Sequence, residues 1–217
     1  MRSADEKPGY REIRAAYGPD SIRVYQAYSD GIAEAALRRG TFVSPPFKME
    51  RMTWIKPSFL WMMYRAGWGF KDEGQKRILA IDISREGFDW ALVHANLSHY
   101  DAALPYSEAE WRDRSRATDI VIQWDPERDL ALQPLPFRAI QIGLRGEAVR
   151  RYVDEWIVGI TDVTPLSHDI RRLVQSGDLD AAQRLLPGEA PYPVNPEVAA
   201  GILASPGPES AVPSTEG

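Results

Sequence analysis

At 217 residues, with 44% hydrophobic and 26% charged side chains, the chain has the make-up of a folded protein able to bury one substantial core. It contains no cysteine, which excludes a disulfide framework, a thiolate nucleophile and a Cys-ligated zinc. A net charge of −5 argues against a general nucleic-acid binder, and the polar start together with a longest aromatic-apolar run at 59–64 points to a cytoplasmic protein with no membrane span.

Residues 9–16, closed by Tyr17-Gly18-Pro19, are expected to form a short helix. Residues 22–28 read as a strand with Ile22, Val24 and Gln26 on one face and Arg23, Tyr25 and Ala27 on the other. A helix over 30–39 ends where Gly40 supplies a left-handed residue. A proline-bearing loop then leads to a strand over 52–55. Pro57 suits a first helical position and Gly67 the position after the last, while Phe59, Met62, Met63 and Ala66 share one apolar face between them. Residues 78–83 read as a buried strand and 88–95 as a helix. Ser107 with Glu110 forms a capping-box pattern. Residues 120–124 make a strand stopped by Asp125-Pro126, and 138–144 alternate as another strand. Val149, Tyr152, Val153, Trp156, Ile157 and Ile160 make a helical stripe, and two further helices are expected at 164–175 and 179–186.

The fold expected from this order is α+β, with a mixed, mostly antiparallel sheet and packed helices. Residues 1–186 are expected to form a single domain and 187–217 a Pro-rich flexible tail.

The motifs of common enzyme classes are missing: no phosphate loop, no G-x-G-x-x-G, no H-E-x-x-H and no G-x-S-x-G. His94 and His99 are poorly spaced for joint coordination and His168 stands alone, so no metal site is expected. Charge is uneven, however. From Arg38 to Arg85 there are ten Lys/Arg against four Asp/Glu, a basic segment that suits a phosphate-bearing ligand or else cancels over several faces.

Three stretches carry polar chemistry. Arg23–Tyr28, with an arginine, an amide and two tyrosines, either lines a cleft or is a strand of ordinary β-formers. In Arg51–Trp68, Arg51, Thr53, Lys56 and Ser58 gather where a strand meets a helix N-terminus, a place that attracts phosphate or pyrophosphate. Trp54 offers a stacking face there. The alternative makes Ser58 a helix-start residue and Lys56 solvated. In Gln123–Arg128, Asp125 and Glu127 suit acid–base or oxocarbenium-stabilising work, or else form a charged turn.

These stretches, VYQAY, RMTWIKPSFLWMMYRAGW and QWDPERD, together with RAIQIGL, resemble a bacterial and fungal family known as domain of unknown function 4291, over about Arg11 to Pro187. That family carries no assigned activity. The order of elements also resembles ADP-ribosyltransferases, with Gln26 where His or Arg is usual there and with Asp119, Gln123 or Glu127 in place of a late-strand Glu. This second resemblance implies NAD as substrate and ADP-ribose transfer to an acceptor, nucleic acid or protein. Gln26 and Arg23 would hold the ribose or phosphate, and Lys56 and Ser58 the pyrophosphate. Trp54 or Tyr28 would stack on nicotinamide, and Glu127 or Asp125 would stabilise the developing positive charge. Two rival readings stay open. One is a noncatalytic nucleotide- or RNA-binding module using the same basic, aromatic cleft, distinguished by the absence of NAD cleavage. The other is an interaction protein with an ordinary tryptophan core, distinguished by the absence of any nucleotide binding.

Overall fold

The structure, a computed structural model, describes residues 8–205. It begins not with a helix but with a short strand, β1 (Arg14–Ala15). Ile13 and Ala15 are both buried, an alternation of period two that overrides the helical reading of this stretch.

The remaining elements follow in chain order as β2 (Ser21–Tyr28), α1 (Asp30–Arg39), β3 (Thr53–Ile55), α2 (Phe59–Ala66), β4 (Arg77–Ser84), α3 (Arg85–Val93), β5 (Asn96–Leu97), α4 (Glu108–Ala117), β6 (Ile120–Arg128) and β7 (Pro134–Leu144). After them come α5 (Gly146–Arg151), β8 (Ile157–Asp162), α6 (Thr164–Ser176), α7 (Leu179–Leu185), β9 (Ala190–Pro191) and α8 (Pro196–Ile202). The fold is α+β with mostly antiparallel sheets. One sheet runs β2-β4-β8, a second runs β3-β7-β6-β5 with only the β5–β6 pair parallel, and β1 pairs with β9. The two larger sheets meet where Tyr25 N donates to Lys56 O at 2.7 Å, so that the ends of β2 and β3 lie side by side.

On β2, Ile22 and Val24 enter the main core, whereas Tyr25 turns to a smaller cluster built on Phe59, Met62, Met63 and Ala66 of α2. In the second sheet, Ile55, Ile122, Ile140, Ile142 and Leu144 face the main core. Their strand neighbours, including Gln123, Asp125, Gln141 and Gly143, point the other way, since side chains alternate along a strand. That polar outer face is one wall of the site described below.

Three further expectations are corrected. The stripe from Val149 to Ile160 is not one helix. α5 passes through a π-helical turn, Tyr152–Trp156, into strand β8. β6 does not stop at Asp125-Pro126 but runs on to Arg128. β5 pairs with β6 only at Val121 and Ile122, so the outer edge is open at Pro126, a position where a residue without an N–H is tolerated. And the segment after Pro187, expected as a flexible tail, packs as far as it is described. Tyr192 is 1% exposed and its backbone N donates to Ile13 O at 2.7 Å. Ile202 of α8 is buried, and its carbonyl accepts from Trp124 Nε1 at 2.8 Å. Residues 206–217 of that expected tail lie outside the described residues. None of the described helices is long and apolar enough to cross a membrane.

Candidate functional site

A cleft of about 630 Å³ opens where the ends of β2 and β3 meet α2 and the polar outer face of the four-stranded sheet. Its floor is set by a buried hydrogen-bond network. Gln26 Nε2 donates to Thr53 Oγ1 at 2.7 Å and to Trp54 O at 3.2 Å, while Gln26 Oε1 accepts from Tyr152 Oη at 2.7 Å. Tyr28 Oη and Thr53 Oγ1 share a further bond of 2.9 Å. Burial pushes both the Tyr28 and Tyr152 hydroxyls up, so they stay protonated and act as neutral partners. Gln26 therefore stands in a saturated network that fixes Thr53 and Trp54. It braces the floor, and its amide is already engaged on both ends.

Lys56 is the ionisable group of that floor. Its side chain is 5% exposed, it lines the cleft, and its Nζ donates to Trp54 O at 3.0 Å. Burial, with the nearby Arg65 charge, lowers the amine to about 7, against an opposing pull from Asp125. Lys48, Arg51 and Arg65, all exposed, stand around it at the rim. Among the described residues no acidic side chain lines this cleft. Asp125 stands just outside the lining and accepts from Gln141 Nε2 at 2.6 Å, and the same nitrogen donates to Gln123 Oε1 at 2.9 Å. Trp54 lies against Gly143, where a Cβ would come within 3.0 Å of the indole. The absence of a side chain at that position leaves room for the indole and for Met52 Sδ, which a Cβ would meet at 2.8 Å.

The structure thus gathers Gln26, Tyr28, Arg51, Thr53, Trp54 and Lys56 on one cleft. The other expected site residues go elsewhere. Arg23 Nε and Nη2 pair with both oxygens of Asp82, each at 2.8 Å, across the β2–β4 register, and this raises the guanidinium pKa further. Ser58 and Glu127 line a second cleft of about 540 Å³ together with Arg14, Arg128 and Glu189. Lys56 and Glu127 therefore do not share a pocket.

The reason lies at the start of α2. Pro57, expected at the first helical position, precedes the helix, and Ser58 is its capping residue: its Oγ accepts from Trp61 N at 3.1 Å and donates to Glu127 Oε1 at 2.9 Å. Phe59 N donates to Glu189 Oε1 at 2.7 Å. The helix N-terminus that was expected to attract a ligand's phosphate is satisfied by the chain's own side chains, Glu189 at Phe59 N and Ser58, backed by Glu127, at Trp61 N. Burial raises Glu127 above the usual carboxylate range and, with Glu127 as a like-charged neighbour, raises Glu189 to about 8.

Lys48, Arg65, Gln141 and Tyr152 went unread in the sequence as members of the site. For Gln141 a signal existed: in the alternation of Ile140, Ile142 and Leu144 it is the polar residue on the opposite face. Tyr152 had none, because its position in an apolar stripe hides a hydroxyl that reaches across the core to Gln26. Among the described residues no group of three or more His, Asp or Glu side chains is placed to hold a metal ion.

Among curated proteins no relative matches the chain. Nor does the family comparison lend support to the likeness to ADP-ribosyltransferases. The model of one family, described as a domain of unknown function, does match residues 12–192, reaching past Pro187 to the packed Tyr192, and the chain belongs to that family, DUF4291.

Proposed function

We propose that the cleft over Lys56 binds a phosphate-bearing small molecule of nucleotide type. The observation that carries this reading is the convergence of Lys48, Arg51, Lys56 and Arg65 on one cavity in which no described acidic side chain takes part. Cations held around a concave site without counter-charges favour an anionic ligand and raise its local concentration. Arg51 and Arg65 can bind phosphate oxygens in bidentate fashion at the rim, and Lys56 offers an N–H donor from below. The cavity volume falls in the range of small-molecule sites. Trp54 supplies a flat apolar face, and Gln123 and Gln141 supply amides for the edge of a base.

NAD is one candidate of this class. Transfer of its ADP-ribose group would need a carboxylate near the breaking glycosidic bond, and Glu127, turned to the second cleft, is unsuited to that role. Asp125, whose charge already acts on Lys56, is the remaining candidate. The test is the melting temperature with NAD, ADP-ribose, AMP and inorganic pyrophosphate. A ligand that binds only the folded state at a hundred times its Kd stabilises by about 2.7 kcal/mol. A rise with these anions that is lost in Arg51→Ala supports the reading. No shift at millimolar concentration from any of them contradicts it.

A further inference from the structure

From the placement of Lys56 we infer that it is an amine nucleophile that condenses with the carbonyl carbon of a phosphate-bearing aldehyde or ketone held in this cleft. The inference rests on the cleft being a phosphate site and adds the chemistry done there. Three features of the geometry support it. The amine sits on the floor of an open cavity rather than in solvent or in sealed core. Its single hydrogen bond runs from Nζ to Trp54 O, so a neutral amine held by one N–H keeps its lone pair free for the cavity. And the anchoring cations, Lys48, Arg51 and Arg65, ring the cleft, so a ligand seated by its phosphate can bring another carbon down to Nζ. The charged groups acting on the amine are Arg65, which disfavours its protonation, and Asp125, which favours it. Desolvation beside a second cation is a recognised way to activate a lysine.

The step balances without an added oxidant or reductant. The Nζ lone pair attacks the carbonyl carbon and forms a C–N bond, while the C=O π pair moves to oxygen and is protonated from nitrogen. Loss of that oxygen as water, with the second amine proton, leaves an imine. Sugars that carry a phosphate or a nucleoside diphosphate and have a free anomeric hydroxyl present such a carbonyl in their open-chain form.

Pyridoxal 5′-phosphate with sodium cyanoborohydride, whose hydride fixes the imine as a secondary amine, is a direct probe on the full chain. Adducts are located by peptide mass spectrometry among the chain's five lysines. Expected is modification of Lys56 at least about tenfold faster than Lys48, Lys71 or Lys76 near neutral pH, because an amine desolvated beside a second cation is the activated nucleophile. The rate should climb with pH around a midpoint of about 7 and should fall when inorganic pyrophosphate competes. Lys56→Met, checked for its native circular dichroism, should lose the fast adduct and leave the slow ones. If pyrophosphate raises the melting temperature while Lys56 is modified no faster than the exposed lysines, the nucleophile is disproved and the phosphate site stands. If Lys56 reacts fast but pyrophosphate neither protects it nor stabilises the fold, the phosphate-bearing substrate class is overturned.

Discussion

At the scale of single residues, buried Lys56 and partly buried Glu189 make opposite demands on pH. Lys56 has its amine lowered to about 7, so between there and its ordinary value of 10.5 the unfolded chain binds more protons than the folded one. Stability contributed by this residue therefore rises as the pH climbs through that window. Lys56→Met should be the more stable protein by roughly 2–4 kcal/mol at about pH 6, with the gain fading by about pH 10. Glu189 behaves in the reverse sense. Its carboxyl is raised from 4.5 to about 8, so it costs the fold stability as the pH rises across that interval. Glu189→Gln, which mimics the protonated form at the cap of Phe59 N, should match the wild type at about pH 4 and exceed it above about pH 8. Urea unfolding at several pH values checks both. Flat difference curves would show that neither group is held as buried as the structure has it. The sequence placed Lys56 at a phosphate site on the argument of a helix N-terminus. The cleft is there, but the helix end itself is occupied, because Glu189 lies 130 positions away from Phe59 and no local pattern reports such a partner.

At the scale of elements, α3 and the turn after α5 interlock through one ring. Trp156 is 4% exposed, and an added Cβ at Gly87 would come within 2.4 Å of its indole. Trp156→Ala should cost roughly 3–5 kcal/mol, as expected for emptying a large aromatic from a core. Gly87→Ala should cost roughly 1–3 kcal/mol by overpacking. In the double variant the two costs should fall well short of their sum, since the alanine methyl then meets an empty site. Strict additivity, measured by a denaturant cycle, would place the ring elsewhere. Helices with strong punctuation were legible from the residues. α1 ends at Gly40 in the left-handed region, α2 ends at Gly67 likewise, and Ser107 with Glu110 forms the reciprocal cap of α4. What was not legible is β8. Ile157 and Ile160 continue the spacing of the preceding helical residues, and the switch from helix to strand is imposed by pairing with β4 from Ile83 to Leu79.

For the molecule as a whole, the C-terminal stretch is part of the fold although its composition reads as linker. A few anchors are enough. Tyr192 fills a site against Phe88 and Tyr17, its hydroxyl donates to Asp89 Oδ1 at 2.8 Å, and α8 sets Ala199 and Ile202 into the core side of the molecule. A chain ending at Leu186 should therefore melt several degrees lower, or less cooperatively, than one ending at Ser205. Equal melting of the two would show that the segment only rests on the surface. Low complexity in sequence hid this, since burial of one tyrosine and one isoleucine leaves no periodic signal.

The cleft over Lys56 as an anion site is tested most directly by isothermal titration with ADP-ribose, run on the wild type and on Arg51→Ala at low and high salt. The predicted result is saturable one-to-one binding that weakens with salt and weakens at least about tenfold in the variant, in keeping with the loss of a charge-assisted contact. Absence of heat at millimolar ligand, or binding untouched by both salt and the Arg51 substitution, would contradict it.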